Sequence, residues 1–295
     1  MNILIVGANG LLGRHLVEIL SQNHKIVALV KDTKNLNFRI NNNISLLEMN
    51  LNNIDLTRLP NNIDAIYYLA QSNKYKYFPE GMEDMIYINI LSPNIIAQWA
   101  SKNGVKSFFY ASSGGVYGNI NSLLKESHDI SKSDQLSFYL SSKLSSEMLL
   151  KNYENLIDIV VIIRPFFIYG PGQNKTMLIP KLISDVENEK EITLNGNNGI
   201  KINPIYVTDA AKAFANLINI RTSFVINIAG DHEVFLKELI LMIGAEIDKS
   251  PIIKINDKKQ NNLVADNSLM REMLFKPKID LKTGIKNIIK YNQCF

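Results

Sequence analysis

Two side chains four positions apart, Tyr139 and Lys143, could carry out proton transfer. They lie in a stretch with helical spacing, so both would project from one face of a helix. A phenol ionises near pH ~10, and an adjacent ammonium group favours the phenolate and brings the pKa towards the working range. Ser113, at the end of a predicted strand, could hydrogen-bond the same reacting oxygen. Together the three residues predict a site that takes a proton from a hydroxyl group or returns it.

A glycine-rich motif, Gly7, Gly10 and Gly13, lies between a β-branched run and an amphipathic stretch near the start of the chain. Glycines at this spacing allow a tight turn and a close backbone approach to a pyrophosphate, and the following helix offers free N–H groups to the anion. The motif therefore predicts a dinucleotide cofactor, NAD or NADP. With such a cofactor, the Ser/Tyr/Lys site would transfer hydride at a carbinol.

The end of the second predicted strand should distinguish NAD from NADP, because an acidic residue there binds the ribose of NAD. Val30 occupies the aligned position, Lys31 follows it, and Arg14 comes directly after the last glycine. This basic pair could hold a 2′-phosphate and tilts the prediction slightly towards NADP. The alternative is that both cations are solvated and Asp32 binds the ribose.

Apolar runs alternate with amphipathic stretches through the first half of the chain, which predicts a parallel sheet covered by helices on both faces. The predicted strands are Ile3–Val6, Ile26–Val30, Ile44–Leu47, Ala65–Leu69, Phe108–Ala111, Ile159–Ile163, Ile192–Leu194 and Phe224–Ile228. The predicted helices are Leu11–Leu20, Met85–Ala100, Phe138–Tyr153, Leu178–Glu187, Asp209–Leu217, Leu236–Ile243 and Asp266–Leu274. The motifs all fall at carboxyl ends of strands, where sheets of this kind bind ligands.

We therefore predict an α/β fold with a doubly wound parallel Rossmann sheet and a smaller C-terminal α/β domain. Residues 1–165 are expected to form the NAD(P)-binding domain, with a later segment at about 203–230 returning to it. Residues 166–295 are expected to be mainly substrate-binding.

Composition excludes several other classes of protein. Apolar residues make up 46% and charged residues 20%, and the net charge is +4, too mild to indicate nucleic acid or a membrane surface as partner. The single cysteine, Cys294, excludes an intramolecular disulfide, and the four histidines have no metal-binding spacing. No apolar run approaches a membrane span, and no leader pattern precedes Ile3, so a cytoplasmic protein without metal is expected.

The combined motifs resemble the extended short-chain dehydrogenases, in particular the NAD-dependent epimerase/dehydratase group that acts on nucleotide sugars. The resemblance extends from the glycine motif through Leu69-Ala70, Asn89, the run 110–118, Tyr139 to Lys143 and the run 164–173 to the segments 205–209 and 275–277. It implies a Rossmann domain, a smaller substrate domain, a nucleotide-sugar substrate and often a homodimer.

The residues that motif and resemblance assign to the site fall into three groups. The catalytic residues would be Ser113, Tyr139 and Lys143. The cofactor would be bound by Gly7, Asn9, Gly10, Leu11, Leu12, Gly13, Arg14, Lys31, Asn50, Leu51, Leu69, Ala70, Gln71, Asn89, Ala111, Ser112, Tyr139, Lys143 and Pro165. The substrate would be bound by Ser113, Gly114, Gly115, Tyr139, Phe166, Phe167 and Lys201.

The chain departs from the resembled family at four places. Gly114 and Gly115 stand where the dehydratases of the group carry an Asp-Glu pair, which argues against dehydration. Phe167 stands where the epimerases usually have Asn. Ile202 stands where they have a diphosphate-binding Arg, and Lys201 could substitute only as a point charge. Asn50 replaces an adenine-binding Asp, and an amide can still hydrogen-bond the ring.

Three functions follow from these observations. The first is epimerisation of a nucleotide-activated sugar, at C4, through oxidation and re-reduction of a carbinol. The second is NADPH-dependent reduction of a nucleotide-activated keto-sugar, which Arg14 and Lys31 favour. The third is a non-catalytic dinucleotide sensor, against which the intact Tyr139 and Lys143 argue.

Overall fold

Strands and helices alternate along the first half of the chain and become shorter and more varied in the second half. The computed structural model describes residues 1–118, 122–130, 136–258 and 262–294. The strands in these ranges are β1 (Asn2–Val6), β2 (Lys25–Val30), β3 (Ile44–Glu48), β4 (Ala65–Tyr68), β5 (Ser107–Ala111), β6 (Ile159–Pro165), β7 (Ile168–Tyr169), β8 (Ile192–Asn195), β9 (Lys201–Ile202), β10 (Ile205–Tyr206), β11 (Phe224–Ile228), β12 (Val234–Phe235) and β13 (Ile253–Asn256).

The helices are mostly amphipathic and lie between these strands. They are α1 (Leu11–Leu20), α2 (Met82–Ile86), a π-helical turn (Tyr87–Leu91), α3 (Ser92–Lys102), α4 (Phe138–Leu150), α5 (Leu178–Glu187), α6 (Val207–Asn216), α7 (Leu236–Ile247), α8 (Ser268–Met273) and α9 (Leu281–Cys294). Short 3₁₀ helices occur at Leu56–Arg58, Gly114–Tyr117, Lys151–Asn155 and Leu217–Asn219.

The main sheet has seven strands in the order β11-β6-β5-β4-β1-β2-β3, and every pair from β6 to β3 is parallel. Its strands form because they are continuous apolar runs: all of β4 and β5 is buried, as are the last four residues of β1. The chain winds outward from β1 in both directions, so β1 and β4 flank the point where the strand order reverses. In open α/β sheets, ligands bind beyond the strand ends at such a point.

The chain divides into two compact units. Unit 1 consists of Met1–Gly118, Asp129–Arg164 and Ala211–Ile226, and unit 2 of Asn119–His128, Pro165–Ala210 and Asn227–Phe295. One core packs strands β1, β4, β5 and β6 against the apolar face of α3, around Ile96 and Trp99. A second core, in unit 2, packs α5, α7 and α9 around Ile183, Ile240 and Ile285. Within the described ranges, no helix is long and apolar enough to cross a membrane.

The predicted doubly wound parallel sheet is confirmed, but several helices differ from the pattern-based prediction. The stretch predicted as one helix, Met85–Ala100, begins earlier and contains a π-turn that adds a residue to the helical repeat. The predicted helix Phe138–Tyr153 ends at Leu150 and continues as a 3₁₀ turn. Helix α9 and the two-residue strands were not predicted.

Candidate active site

The glycine motif lies where β1 and β4 end side by side. Gly7 has φ +85°, and a Cβ atom there would lie 2.9 Å from the backbone nitrogen of Ala70, two residues after the end of β4. A Cβ on Gly13 would lie 2.3 Å from the carbonyl oxygen of Gly7. Only glycine therefore allows the turn and the close approach of helix α1 to the strand ends.

Helix α1 directs free backbone N–H groups towards this turn. Its first helical bond runs from the Arg14 N–H to the Gly10 carbonyl (3.0 Å), so the N–H groups of Leu11, Leu12 and Gly13 have no intrahelical partner. The N-cap residue is Gly10, which has no side chain to cap them. A glycine cradle with uncapped donors at a helix N-terminus fits the pyrophosphate of a dinucleotide.

Asn9, predicted to contact the cofactor, fastens the glycine turn to the loop after β2. Its side-chain amide donates to the Asn35 carbonyl (2.8 Å) and its oxygen accepts the Asn37 N–H (2.7 Å). These bonds give the turn a second anchor besides the sheet. Its contact with a cofactor stays a prediction.

The residues predicted at the adenosine end lie on exposed loops beyond β2 and β3. Lys31 and Asp32 are both exposed, and the Asp32 carboxylate accepts the Lys34 N–H (2.8 Å) in a local turn. Asn50 is exposed and accepts the Asn52 N–H (3.1 Å), whereas Leu51 packs against the core of unit 1. Lys31 and Asp32 are thus both accessible, and these contacts favour neither cofactor.

Ser113, Tyr139 and Lys143 come from the end of β5 and the first two turns of α4. Ser113 caps the following 3₁₀ turn, because its hydroxyl accepts the Gly115 N–H (3.2 Å). Lys143 is completely buried, and its ammonium donates to the carbonyl of Ala111 (2.9 Å). It lies 3.5 Å from the carbonyl oxygen of Ala70 after β4. Lys143 thus joins the ends of β4 and β5 beneath Tyr139.

The pKa values in this cluster differ from the sequence-based expectation that Lys143 would lower the pKa of Tyr139. Burial lowers the pKa of Lys143 to about 7, and the Glu147 carboxylate opposes that shift. Burial raises the pKa of Tyr139 well above its usual range; Tyr75 adds to the shift and a hydrogen bond with Ser113 opposes it. The Lys143 ammonium bonds to backbone carbonyl groups, and the burial of the Tyr139 phenol disfavours its ionised form.

Gln71 follows Leu69 and Ala70 after β4, and its side chain lies at the reacting oxygen. The Tyr139 hydroxyl donates to the Gln71 side-chain oxygen at 3.0 Å. The ring of Tyr75, in the same segment, lies beside that of Tyr139, with 5.4 Å between the two ring centroids. The sequence predicts that Gln71 binds the cofactor, and the structure adds its contact with Tyr139.

Asn89 lies in the π-turn and is completely buried. Its side-chain oxygen accepts the Ser72 N–H (3.1 Å) and its amide donates to the Ser142 hydroxyl (2.9 Å). Asn89 therefore connects the segment after β4, which carries Gln71, with helix α4, which carries Tyr139. Its predicted contact with the cofactor stays a prediction.

Sequence reasoning missed a buried ion pair behind the site. Arg164, at the end of β6, donates through Nη2 to Glu147 at 2.6 Å, and both side chains are almost fully buried. The Ser112 hydroxyl also donates to Glu147, and the Tyr117 ring packs against the guanidinium. The signal was present: Glu147 follows Lys143 by one helical turn, and Arg164 follows an apolar strand.

Gly114 and Gly115 form the first turn of the 3₁₀ helix after Ser113, beside α4. A Cβ on Gly115 would lie 2.7 Å from the Leu140 side chain, so a larger residue would require that side chain to move. The positions that carry acids in the resembled dehydratases therefore present only backbone here.

The remaining predicted residues belong to unit 2. Pro165 ends β6, and Phe166 is buried. Phe167 has φ +43°, a left-handed conformation that is uncommon for an aromatic residue and that Asn adopts more readily. Lys201 is paired with Glu233 at 2.5 Å, so its charge is already compensated.

The described residues contain no cluster of His, Cys, Asp or Glu able to hold a metal ion.

Comparison with known proteins identifies the class to which this fold and site belong. Residues 3–229 match the NAD dependent epimerase/dehydratase family, and the chain belongs to that family.

Three similar proteins illustrate its range. An uncharacterized UDP-glucose epimerase of Bacillus subtilis is 26% identical across 99% of this chain and 98% of that protein. The dTDP-D-glucose 4,6-dehydratase of Homo sapiens is 27% identical over 243 residues, which span 77% and 67%. A UDP-glucuronic acid 4-epimerase from Bacillus cereus, solved in complex with NAD, superposes with a TM-score of 0.84 at 24% identity and coverage of 99% and 96%.

Proposed function

We propose that the protein is an NAD-dependent epimerase that inverts a carbinol, at C4, of a nucleotide-activated sugar. The observation that carries the proposal is the position of three side chains at the reversal point of the sheet. Ser113 hydrogen-bonds Tyr139, and Lys143 on the same helix reaches the Ala70 carbonyl group, beside the glycine cradle. The family and the epimerases among its similar proteins support it.

NAD is the cofactor we propose, held at its pyrophosphate by the N–H groups of Leu11, Leu12 and Gly13. The matched family is described as NAD dependent, and the B. cereus epimerase was solved with NAD. Neither supports NADP, the cofactor that Arg14 and Lys31 slightly favour in the sequence. When bound, NAD would supply the hydride acceptor for the carbinol carbon and the hydride donor for the resulting ketone.

In this mechanism Tyr139 takes the proton of the substrate hydroxyl as the carbon gives up its hydride, and returns that proton to the oxygen when hydride is delivered to the opposite face. Ser113 can donate a hydrogen bond to the same oxygen, because the Gly115 N–H occupies only one lone pair of its hydroxyl and the O–H is a separate donor. Lys143, when protonated, stabilises the phenolate by its charge. The net reaction inverts one carbon and consumes no cofactor.

Dehydration requires an acid to protonate the leaving hydroxyl, and the two positions after Ser113 offer none. The human 4,6-dehydratase is nevertheless similar over much of the chain, so this distinction rests on Gly114 and Gly115. We therefore propose epimerisation rather than elimination for this site.

The test separates epimerase from keto-sugar reductase. The purified protein is examined for bound NAD(H) and incubated with UDP-glucose, UDP-glucuronic acid and dTDP-glucose, with products identified by NMR. The expected result is interconversion of C4 epimers without net change in NAD(H). Stoichiometric NADPH oxidation with a nucleotide keto-sugar would overturn the proposal in favour of the reductase, and a 4-keto-6-deoxy product would overturn it in favour of a dehydratase.

We also propose that the protein forms a homodimer through the faces of α3 and α4 that carry exposed apolar side chains. Ile95 of α3 and Met148 and Leu149 of α4 are exposed, as is Leu91 at the end of the π-helical turn, and the two helices pack against each other. Large exposed apolar patches mark association sites, and a symmetric pairing would bury this patch against its own copy. Sedimentation should give a dimer that Met148→Glu weakens; a monomeric wild-type protein would contradict this proposal.

A further inference from the structure

The reacting oxygen of Tyr139 has a second polar neighbour besides Ser113. In the structure the Tyr139 hydroxyl donates to the side-chain oxygen of Gln71 at 3.0 Å. Gln71 itself is solvent-exposed, whereas Tyr139 is half-buried. The hydroxyl hydrogen is thus directed at a neutral amide.

The position of Gln71 is set by buried contacts of its neighbours. The next residue, Ser72, is completely buried; its N–H donates to Asn89 and its hydroxyl donates to Asp84. The preceding residue, Ala70, abuts the glycine turn at Gly7. Because both sides of Gln71 are fixed, its side chain is presented to Tyr139 by the fold itself.

A primary amide differs from the other groups that face Tyr139. Those groups are Ser113 after β5, the Tyr75 ring and Tyr110 of β5. Lys143 lies one turn further along the same helix. The amide oxygen accepts from a phenol, and after rotation about the terminal torsion, which is broad and roughly two-fold, the NH₂ group can donate to a phenolate. One side chain can therefore hydrogen-bond Tyr139 both before and after proton transfer.

We propose that Gln71 is a further catalytic residue, which hydrogen-bonds the Tyr139 oxygen in both of its protonation states and so serves both halves of the reaction. This inference rests on the proposed function, in which Tyr139 alternates between taking and giving a proton. In the oxidation half, the amide donates to the phenolate, which accepts the substrate proton and becomes the phenol. In the reduction half, the phenol returns that proton to the substrate oxygen, and the electron pair of the O–H bond stays on Tyr139.

The variant Gln71→Met keeps the length of the side chain and removes the amide. We expect kcat to fall about tenfold, because the loss of one hydrogen bond worth about 1.4 kcal/mol raises the barrier by that amount. KM should stay within about twofold of wild type. Gln71→Glu keeps an acceptor, adds a negative charge and cannot donate to the phenolate. It should move the pH at which kcat is half-maximal upward by about one unit.

A second readout needs neither cofactor nor substrate. In protein labelled with ¹³C at the tyrosine Cζ position, the Tyr139 resonance, assigned with Tyr139→Phe, should move in Gln71→Met, because the phenol loses its acceptor. The matched controls Gln22→Met and Gln22→Glu, at an exposed glutamine after α1, should leave both the resonance and the pH profile unchanged.

Two results would overturn the inference: an unmoved Tyr139 resonance in Gln71→Met, or wild-type kcat in that variant across the pH range. A wild-type protein that epimerises none of the three nucleotide sugars would instead count against the proposed function, and the resonance alone would then decide whether Gln71 holds the hydroxyl.

Discussion

Glu147 and Arg164 form a two-pronged ion pair inside unit 1, with the Arg164 Nε 3.2 Å from one carboxylate oxygen and Nη2 2.6 Å from the other. The exposed fractions of the two side chains are 2% and 4%. Such a pair is expensive to break, because each partner leaves the other as an uncompensated buried charge. It therefore holds helix α4, which carries Tyr139 and Lys143, against the end of β6.

Glu147→Gln should lower the free energy of unfolding by about 3–5 kcal/mol, because the Arg164 guanidinium would remain buried without a counter-charge. Urea denaturation measures this. Asp158→Asn makes the same chemical change in an exposed pair, Lys106 to Asp158 at 3.4 Å, and should cost less than about 1 kcal/mol. Equal losses of unfolding free energy in the two variants would show that the buried pair contributes no more to stability than the exposed one.

Gly13→Ala should disrupt both stability and dinucleotide binding, because its Cβ would lie 2.3 Å from the Gly7 carbonyl oxygen. Overpacking against backbone should cost about 3 kcal/mol and displace the glycine turn. Gly104→Ala is the matched control: it has φ +71° and open space around it, so it should cost only about 1 kcal/mol and leave NAD affinity unchanged. NAD titration followed by fluorescence gives the affinity of each variant, and thermal unfolding gives its stability. Unimpaired NAD binding by Gly13→Ala would contradict the role of the glycine turn in holding the cofactor.

Stability should rise with pH between the lowered pKa of Lys143, about 7, and its ordinary value of 10.5. In that window the unfolded chain binds a proton at Lys143 that the folded protein excludes, so raising the pH removes an advantage of the unfolded state. Lys143 contributes at most about 1.4 kcal/mol of unfolding free energy per pH unit in this window. Below about pH 7 the dependence vanishes, because both the folded and the unfolded chain are then protonated at Lys143. Lys143→Met should flatten the curve of unfolding free energy against pH. Parallel curves for the two proteins would mean that the buried amine keeps an ordinary pKa.

Tyr139→Phe should lower turnover by about 10²–10⁴-fold, the usual contribution of a positioned acid–base group, while NAD affinity is retained. Ser113→Ala should have a smaller effect, since it removes one hydrogen bond to the substrate oxygen and leaves the proton-transfer group in place. Steady-state kinetics with the substrate identified for the wild type gives both values. Near-normal activity of Tyr139→Phe would end the mechanism proposed here.

The sheet could be predicted from the sequence because its strands are continuous apolar runs punctuated by glycine. Helices α1 and α5 and strand β11 begin and end where the pattern predicts. The carboxyl-end position of Gly7, Ala70 and Ser113 followed from the same reasoning, since parallel strands present those ends at one edge.

Other features could not be predicted because they depend on tertiary contacts that leave little pattern in the chain. The π-turn around Asn89 has the hydropathy of an ordinary helix, and the two-residue strands are too short to show alternation. The bond between Gln71 and Tyr139 joins residues on separate elements. Helix α9 is different: Leu281, Ile285 and Ile288 have helical spacing, so a usable signal was missed.

The place of β11 in the sheet has a consequence for biosynthesis. Its residues, Phe224–Ile228, leave the ribosome long after those of β6, the strand that they cover, and the hydroxyl of the nearby Ser223 accepts the Val160 N–H (2.9 Å). Until then the nascent chain displays an unpaired apolar edge, Ile159–Pro165, of the kind that recruits other chains. A fragment that stops at residue 165 should therefore aggregate, and the first six strands become a safe folding intermediate only after translation has passed β11.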